Sequence, residues 1–214
     1  MANLKIFFLR HGQTELSRDN LFCGSGMNPG ITADGLRMAE CFADAYSGTP
    51  WEAFYASPLV RAVQTATPIS KAVGKELILR DGLKEIGYGD WEGKSVEVVN
   101  RDHHDDHVRW TADPAWCAPT KGERAVDIEQ RARQVVGEIV AQHKSGNVLV
   151  VSHKATIRII LCSLLGIDVG RFRFRLDCPV CSLSLVEFTN SGPQLRVMAD
   201  RSHLPKELKE LPGT

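Results

Sequence analysis

Two short apolar runs constrain the fold more than anything else in the chain: Leu4 to Leu9, and Asn147 to Val151. Neither alternates apolar with polar residues, and both are short and followed by charged or small residues. That is the pattern of strands buried on both faces of a parallel sheet. Strand and helix patterns then alternate along the rest of the sequence. Thr32 N-caps a helix with Asp34 in its first turn and Leu36, Ala39 and Ala43 on one face. Ala53 to Ala56 is a short strand, Ser57-Pro58 caps a helix running to about Val73, and Glu76 to Leu79 is a third strand candidate. From about Ser95 to Lys144 the pattern is mostly helical, broken at Asp113-Pro114 and again around Pro119 to Gly122. A helix from about Ala155 to Leu165 follows the second apolar run. Two strand patterns, Ser182 to Phe188 and Leu195 to Ala199, then close the chain across Asn190-Ser-Gly-Pro193.

This order predicts an α/β fold, three layers α/β/α around a mostly parallel sheet, with a helical insertion at about 94–122 lying over one end. A length of 214 residues fits one such domain, 1–214, with the charged stretch Lys206 to Thr214 as a tail. Lys plus Arg and Asp plus Glu number 26 each, so no global field draws the chain to nucleic acid or an anionic membrane. The longest apolar stretch, Ile157 to Ile167, is interrupted by Arg158 and Ser163 and is too short to span a bilayer. No secretory leader is expected, and six cysteines in a chain this long suit reduced thiols in a cytoplasmic setting. Cys178-Pro-Val-Cys181 has redox spacing, but a strand pattern follows it where a thiol-activating helix would be needed.

In open parallel sheets ligands bind beyond the carboxyl ends of the strands. The first strand ends in Arg10-His11-Gly12, and the second is followed by Ser57 and Arg61. The third leads to Lys84-Glu85, and the fourth ends in Ser152-His153-Lys154. Two arginines at one edge can grip a phosphoryl group. One neutral imidazole can attack phosphorus while the other stabilises charge on the transferring oxygens. A protonated carboxyl can hand its proton to the leaving oxygen and take one back from water. Gly12, without a Cβ, leaves room for backbone approach to phosphate. The arginines and imidazoles supply the positive charge, so no metal or other cofactor is expected. Phosphoryl transfer through a histidine is the chemistry this set implies.

At these residues the chain resembles the histidine phosphatase superfamily, the phosphoglycerate mutase-like proteins. The resemblance rests on Arg10-His11-Gly12-Gln13-Thr14-Glu15 and on Ser57-Pro-Leu-Val-Arg61-Ala-Val-Gln64-Thr65-Ala66. It also rests on Leu83-Lys-Glu85-Ile-Gly-Tyr-Gly89-Asp-Trp91-Glu92-Gly93 and on Val151-Ser152-His153 with Ile157-Arg158. Gly122-Glu123 with Arg131, and Asp200-Arg-Ser-His203-Leu204, are weaker echoes. The resemblance implies His11 as the phosphorylated nucleophile, Glu85 as the proton donor, and Arg10, Arg61 and His153 completing the phosphate pocket. It implies a phosphatase that acts through phosphohistidine on a small phosphorylated metabolite, a sugar phosphate or phosphorylated acid. The acid motif resembles the phosphatase branch, whereas mutases carry Glu-Arg-His-Tyr-Gly there. A phosphoglycerate mutase, or a non-catalytic protein that only binds a phosphorylated ligand, are the alternatives.

Departures from the family pattern fall on the rim. Leu16-Ser17 stand where Trp-Asn is common, leaving Ser17 as the candidate contact, and Cys23 replaces a glutamine before Gly24. Lys154 takes the place of the glycine usual after the second histidine. Either it faces the pocket, favouring a substrate with a carboxylate or second phosphate, or it turns to solvent. Cys23, Ser25, Tyr88, the insertion and Lys154 are therefore expected to set substrate choice, with Gly24 a further candidate contact. His103 and His107 stand at i, i+4 in a putative helix, a spacing that could hold a metal, but no third ligand is specified and a solvated face is expected.

Overall fold

The computed structural model describes residues 3–213; the ends of the expected 1–214 unit, Met1, Ala2 and Thr214, lie outside the described residues. Strand β1 (Leu4–Arg10) is followed by a single helical turn, α1 (Glu15–Arg18), and then by α2 (Ala33–Tyr46). Next come β2 (Trp51–Ala56), α3 (Val60–Val73) and β3 (Leu77–Leu79). The insertion supplies α4 (Val96–Asp102) and α5 (His104–Ala112), and α6 (Ala125–Gln142) leads into β4 (Gly146–Ser152). The chain then runs through α7 (Lys154–Leu165), the short α8 (Phe172–Arg175), β5 (Leu183–Thr189), β6 (Gly192–Asp200) and α9 (Lys206–Lys209).

The sheet has the order β3-β2-β4-β1-β5-β6. The β1–β4, β2–β4 and β2–β3 pairs are parallel, and β5 and β6 add an antiparallel edge. The two apolar runs are therefore the two central strands, and side chains alternate across them. Phe7, Leu9, Leu149 and Val151 enter a core with Met38 and Phe42 of α2 and Ala62, Ala66 and Ile69 of α3. Ile6, Phe8, Val148 and Val150 enter the opposite core with Val135 and Ile139 of α6 and Ile157, Ile160 and Leu161 of α7. Helices cover both faces, which is why these strands carry no polar alternation.

Register sets the position of the chemistry. Arg10 lies opposite Ser152, and both Leu9 and Ala56 lie opposite Val151, so β1, β2 and β4 end at one level. His11 N donates to Ser152 O at 3.0 Å and Ser57 N to Val151 O at 2.9 Å, which carries the alignment one residue past the strands. The insertion stands over this edge on its own small core, in which Trp91, Val99 and Trp110 pack with Phe22 and Tyr88.

Three local expectations need correction. Thr32 does cap α2, but Leu36 is 43% exposed and the buried stripe runs through Gly35, Met38, Ala39, Phe42 and Ala43. Ser57 does not cap α3: the N-cap is Leu59, with no side-chain cap bond. The charged tail is anchored, because Leu208 is buried, Leu211 packs on the core and Pro212 O accepts from Gln13 Nε2 at 2.6 Å. Charge on Lys206, Lys209 and Glu210 masked two leucines spaced for one face.

Gly12 and Gly35 bring β1's exit loop into backbone contact with α2. A Cβ at Gly12 would lie 2.5 Å from Gly35 O, and one at Gly35 would lie 2.3 Å from Gln13 O. Backbone cannot yield as a side-chain tip can, so Gly35→Ala should cost about 1–3 kcal/mol by overpacking. A urea denaturation midpoint equal to wild type would contradict this contact.

Candidate active site

His11 and His153 face each other with ring centroids 5.2 Å apart, and both are buried. Their partners fix opposite tautomers. His11 Nδ1 lies 2.8 Å from Gly12 O, and a carbonyl only accepts, so Nδ1 carries the hydrogen and Nε2 presents a lone pair. Arg61 Nε lies 3.2 Å from His153 Nδ1, and a guanidinium only donates, so His153 Nδ1 accepts and Nε2–H donates to Ser57 Oγ at 2.7 Å. Ser57, placed in the sequence as a helix cap, is thus the acceptor for the second histidine.

Both imidazoles are held well below their ordinary value, first by burial and then by the Arg61 and Arg10 guanidinium groups beside them, with the facing His11 ring also opposing a charge on His153. Arg61 has no accessible surface; besides His153 it donates to Met27 O and Gly24 O at 3.1 Å each. A fully buried cation among neutral acceptors keeps nearby bases unprotonated. Arg10 donates from Nη1 to Cys178 O at 2.7 Å and reaches the cavity in front of His11.

Glu85 is buried at the N-terminus of α7. Oε1 accepts from Ile86 N and Thr156 N at 3.0 and 3.1 Å, and Oε2 accepts from Ala155 N at 3.1 Å. The loop carrying it is clamped by Arg131, which donates to Gly82 O, Lys84 O and Glu85 O and pairs with Glu123. Thr156 Oγ1 adds a bond to Lys84 O at 2.7 Å, and Ser152 Oγ one to Leu83 O at 2.8 Å. These supports went unassigned in the sequence; the spacing of Arg131 from Glu123, two turns along a helix start, was the available signal.

A cavity of about 630 Å³ opens in front of His11 and is lined by Arg10, His11, Ser17, Cys23, Glu85, Tyr88 and Lys154, among others. Lys154 therefore faces inward, the first of its two sequence alternatives. Arg61 and His153 stand behind this surface with no accessible area. Gly12 and Gly24 are also behind it. The space beside Gly12 is filled by Gly35 O, so its missing Cβ admits α2 and not a ligand, and its N–H donates to Thr65 Oγ1 at 2.9 Å. A Cβ at Gly24 would lie 2.4 Å from Ile86 O, which ties that loop to the Glu85 segment. Ser17 forms a reciprocal cap with Thr14: its N donates to Thr14 Oγ1 and its Oγ accepts from Thr14 N. Burial pushes the Cys23 thiol and the Tyr88 phenol up, leaving both neutral.

The remaining motif candidates separate from the site. His103 falls at the break between α4 and α5, so it and His107 do not share one helix face. His103 meets Lys94 and Thr120, while His107 meets Asn100. Cys178 and Cys181 are free and buried, and burial raises both thiols, Cys181 to about 12. Their segment contributes the Cys178 carbonyl that holds Arg10.

Fold and site define a phosphoglycerate mutase-like α/β/α protein with two opposed imidazoles at the carboxyl edge of its sheet. The chain belongs to the histidine phosphatase superfamily (branch 1), matched over residues 6–201. It is 30% identical over 183 residues to Phosphoserine phosphatase 1 of Hydrogenobacter thermophilus, covering 86% of each chain. It is 24% identical over 200 residues to the adenosylcobalamin/alpha-ribazole phosphatase of Escherichia coli, covering 93% of this chain and 97% of that one. A solved phosphoserine phosphatase mutant from Entamoeba histolytica, in complex with phosphoserine, matches with TM-score 0.83 and 26% identity. That match covers 94% of this chain and all of the other, 100%.

Keeping these histidines neutral has a cost in acid. His203 is likewise pulled down to about 4, chiefly by burial. The folded state holds these groups unprotonated, while the unfolded chain takes up protons near pH 6.5. Their contribution is full above pH 6.5 and is lost as pH falls through the window below it. Urea stability should therefore drop between pH 7 and 5 by up to about 1.4 kcal/mol per pH unit for each such histidine. A flat profile across that window would contradict the burial of neutral imidazoles.

Proposed function

We propose that this chain is a metal-independent phosphomonoesterase that hydrolyses small phosphorylated metabolites through a phosphohistidine formed on His11. The unit is read as 1–214, with the 94–122 insertion as its cover, working in the cytoplasm. The observation that carries this reading is the bare Nε2 of a buried, neutral His11, fixed by Nδ1–H to Gly12 O. The relatives named as phosphatases support hydrolysis over mutase transfer. Among the described residues no helix is long and apolar enough to cross a membrane, and the cavity is of small-molecule size.

In this reading the phosphoryl group enters the cavity with its oxygens toward Arg10. Arg61 supplies positive charge from behind and orients His153. The His153 Nε2–H, now given to Ser57 behind the cavity surface, becomes available to a phosphoryl oxygen once Ser57 gives way. His11 Nε2 attacks phosphorus, the P–O ester bond breaks, and the leaving oxygen takes the proton of Glu85. Oε2, with a single backbone donor, is the oxygen with room for that proton. Water then attacks phosphorus, the new P–O bond forms as the P–N bond breaks, Glu85 recovers a proton from the water, and His11 leaves with its lone pair restored.

Rapid acid-labile labelling tests the covalent step. Wild type should carry phosphate on His11 during turnover, and His11→Ala should lose both the label and at least about 10³-fold in kcat. Full activity in that variant would contradict the mechanism. Glu85→Gln keeps an acceptor for one of the two α7 amides and has no acidic proton to give. It should lower kcat/KM on alkyl phosphates by about 10²-fold and on para-nitrophenyl phosphate far less. Equal losses on both would remove Glu85 from the acid role.

A further inference from the structure

Besides Arg10, the same cavity carries a further group of cations. Lys154 and Arg158 lie one turn apart on α7, and both line it. Like charges at this spacing repel, so their pairing opposes helix stability. Arg158 is only 7% exposed; its Nε donates to Phe172 O at 3.0 Å and its guanidinium lies 5.2 Å from the Phe172 ring centroid. Arg173 of α8 also lines the cavity; its guanidinium sits 4.0 Å from the Trp110 ring centroid, with Nη1 3.4 Å from Thr111 Oγ1. These contacts hold each side chain in place without neutralising it.

Other arginines of the chain do have carboxylate partners, as in Arg80 with Glu138 and Arg131 with Glu123. Among the described residues no ion pair includes Lys154, Arg158 or Arg173. The two acids on the cavity wall, Glu85 held by the α7 amides and Asp177 by Cys178 N at 2.7 Å, act on Lys154 and Arg158 from a distance and form an ion pair with none of the three cations. Burial of cations without a counter-anion is unfavourable, and an anion arriving in the cavity removes the penalty. The Lys154 ammonium is pulled down to about 8 by burial and then by Arg10 and Arg158, which is the same penalty seen at one residue.

We propose that Lys154, Arg158 and Arg173 form a second anion subsite, and that the substrates are phosphomonoesters bearing a further anionic group, a carboxylate or a second phosphate. This rests on the phosphatase reading for what occupies the His11 end. Leu21, Phe22, Tyr88 and Val96 line the same cavity, so the body of the ligand meets apolar and aromatic surface.

The test compares esters that differ by one anion. O-phosphoserine is set against O-phosphoethanolamine, and propane-1,3-diol bisphosphate against its monophosphate. Wild type should favour the doubly anionic member of at least one pair by about tenfold or more in kcat/KM, and the pair that shows it tells carboxylate from phosphate. Lys154→Gln and Arg173→Gln should each shrink that ratio by at least about threefold, about the loss of a partly screened charge contact. Arg158 is left intact because its removal empties a buried position beside Phe172. No preference in either pair, or a ratio unchanged in both variants, overturns the subsite. Failure to hydrolyse any ester, para-nitrophenyl phosphate included, would instead count against the phosphatase reading. The subsite is then read by calorimetric titration of His11→Ala with the same pairs, where equal affinity within both pairs overturns it and tighter binding of a doubly anionic member upholds it.

Discussion

Everything at the carboxyl edge of the sheet depends on Arg61, a guanidinium with no accessible surface that is satisfied by neutral groups alone. Its Nη groups hold the carbonyls of Gly24 and Met27, and its Nε holds His153 Nδ1. One side chain thus ties the 23–27 loop to the end of β4 and dictates the tautomer of the second histidine. Because its partners carry no negative charge, its field reaches both imidazoles undiminished. With Arg10 in front, this keeps His11 and His153 neutral in a site that must attract an anion. A carboxylate partner for Arg61 would satisfy it equally well and would cancel that field.

Glu85 is held by a different device. Glu85 sits where α7 begins, so its carboxyl oxygens meet amides that have no intrahelical partner. Arg131, Ser152 and Thr156 fix the loop that brings it there. The residue after His153 therefore does two things: its backbone opens the helix that holds Glu85, and its side chain, a lysine here, lines the cavity. A glycine would serve the first purpose alone. That difference sets a cation at the cavity where the family pattern has none.

Much of this was legible because continuous apolar runs and strand-end residues are local features. The two central strands, the alternation of helices and the residues at the strand ends could be read from spacing alone. What was hidden is whatever depends on packing between distant segments. Ser57 looks like a helix cap beside Pro58, and only the register of β2 against β4 places it under His153. Gly12 looks like a phosphate-loop glycine, and only the approach of α2 shows what fills its side. Arg158 and Arg173 belong to segments with no common pattern, and they meet because α7 and α8 flank the same cavity. The break at His103, which ends the apparent i, i+4 pair, leaves no mark in the composition of the segment.

The most direct test of the account is nitrogen-15 NMR of the histidine rings across pH. It should show His11 protonated at Nδ1 and bare at Nε2, and His153 protonated at Nε2 and bare at Nδ1. Both should remain neutral well below pH 6.5. A His11 imidazolium at pH 6.5, or a neutral His11 protonated at Nε2, would contradict it.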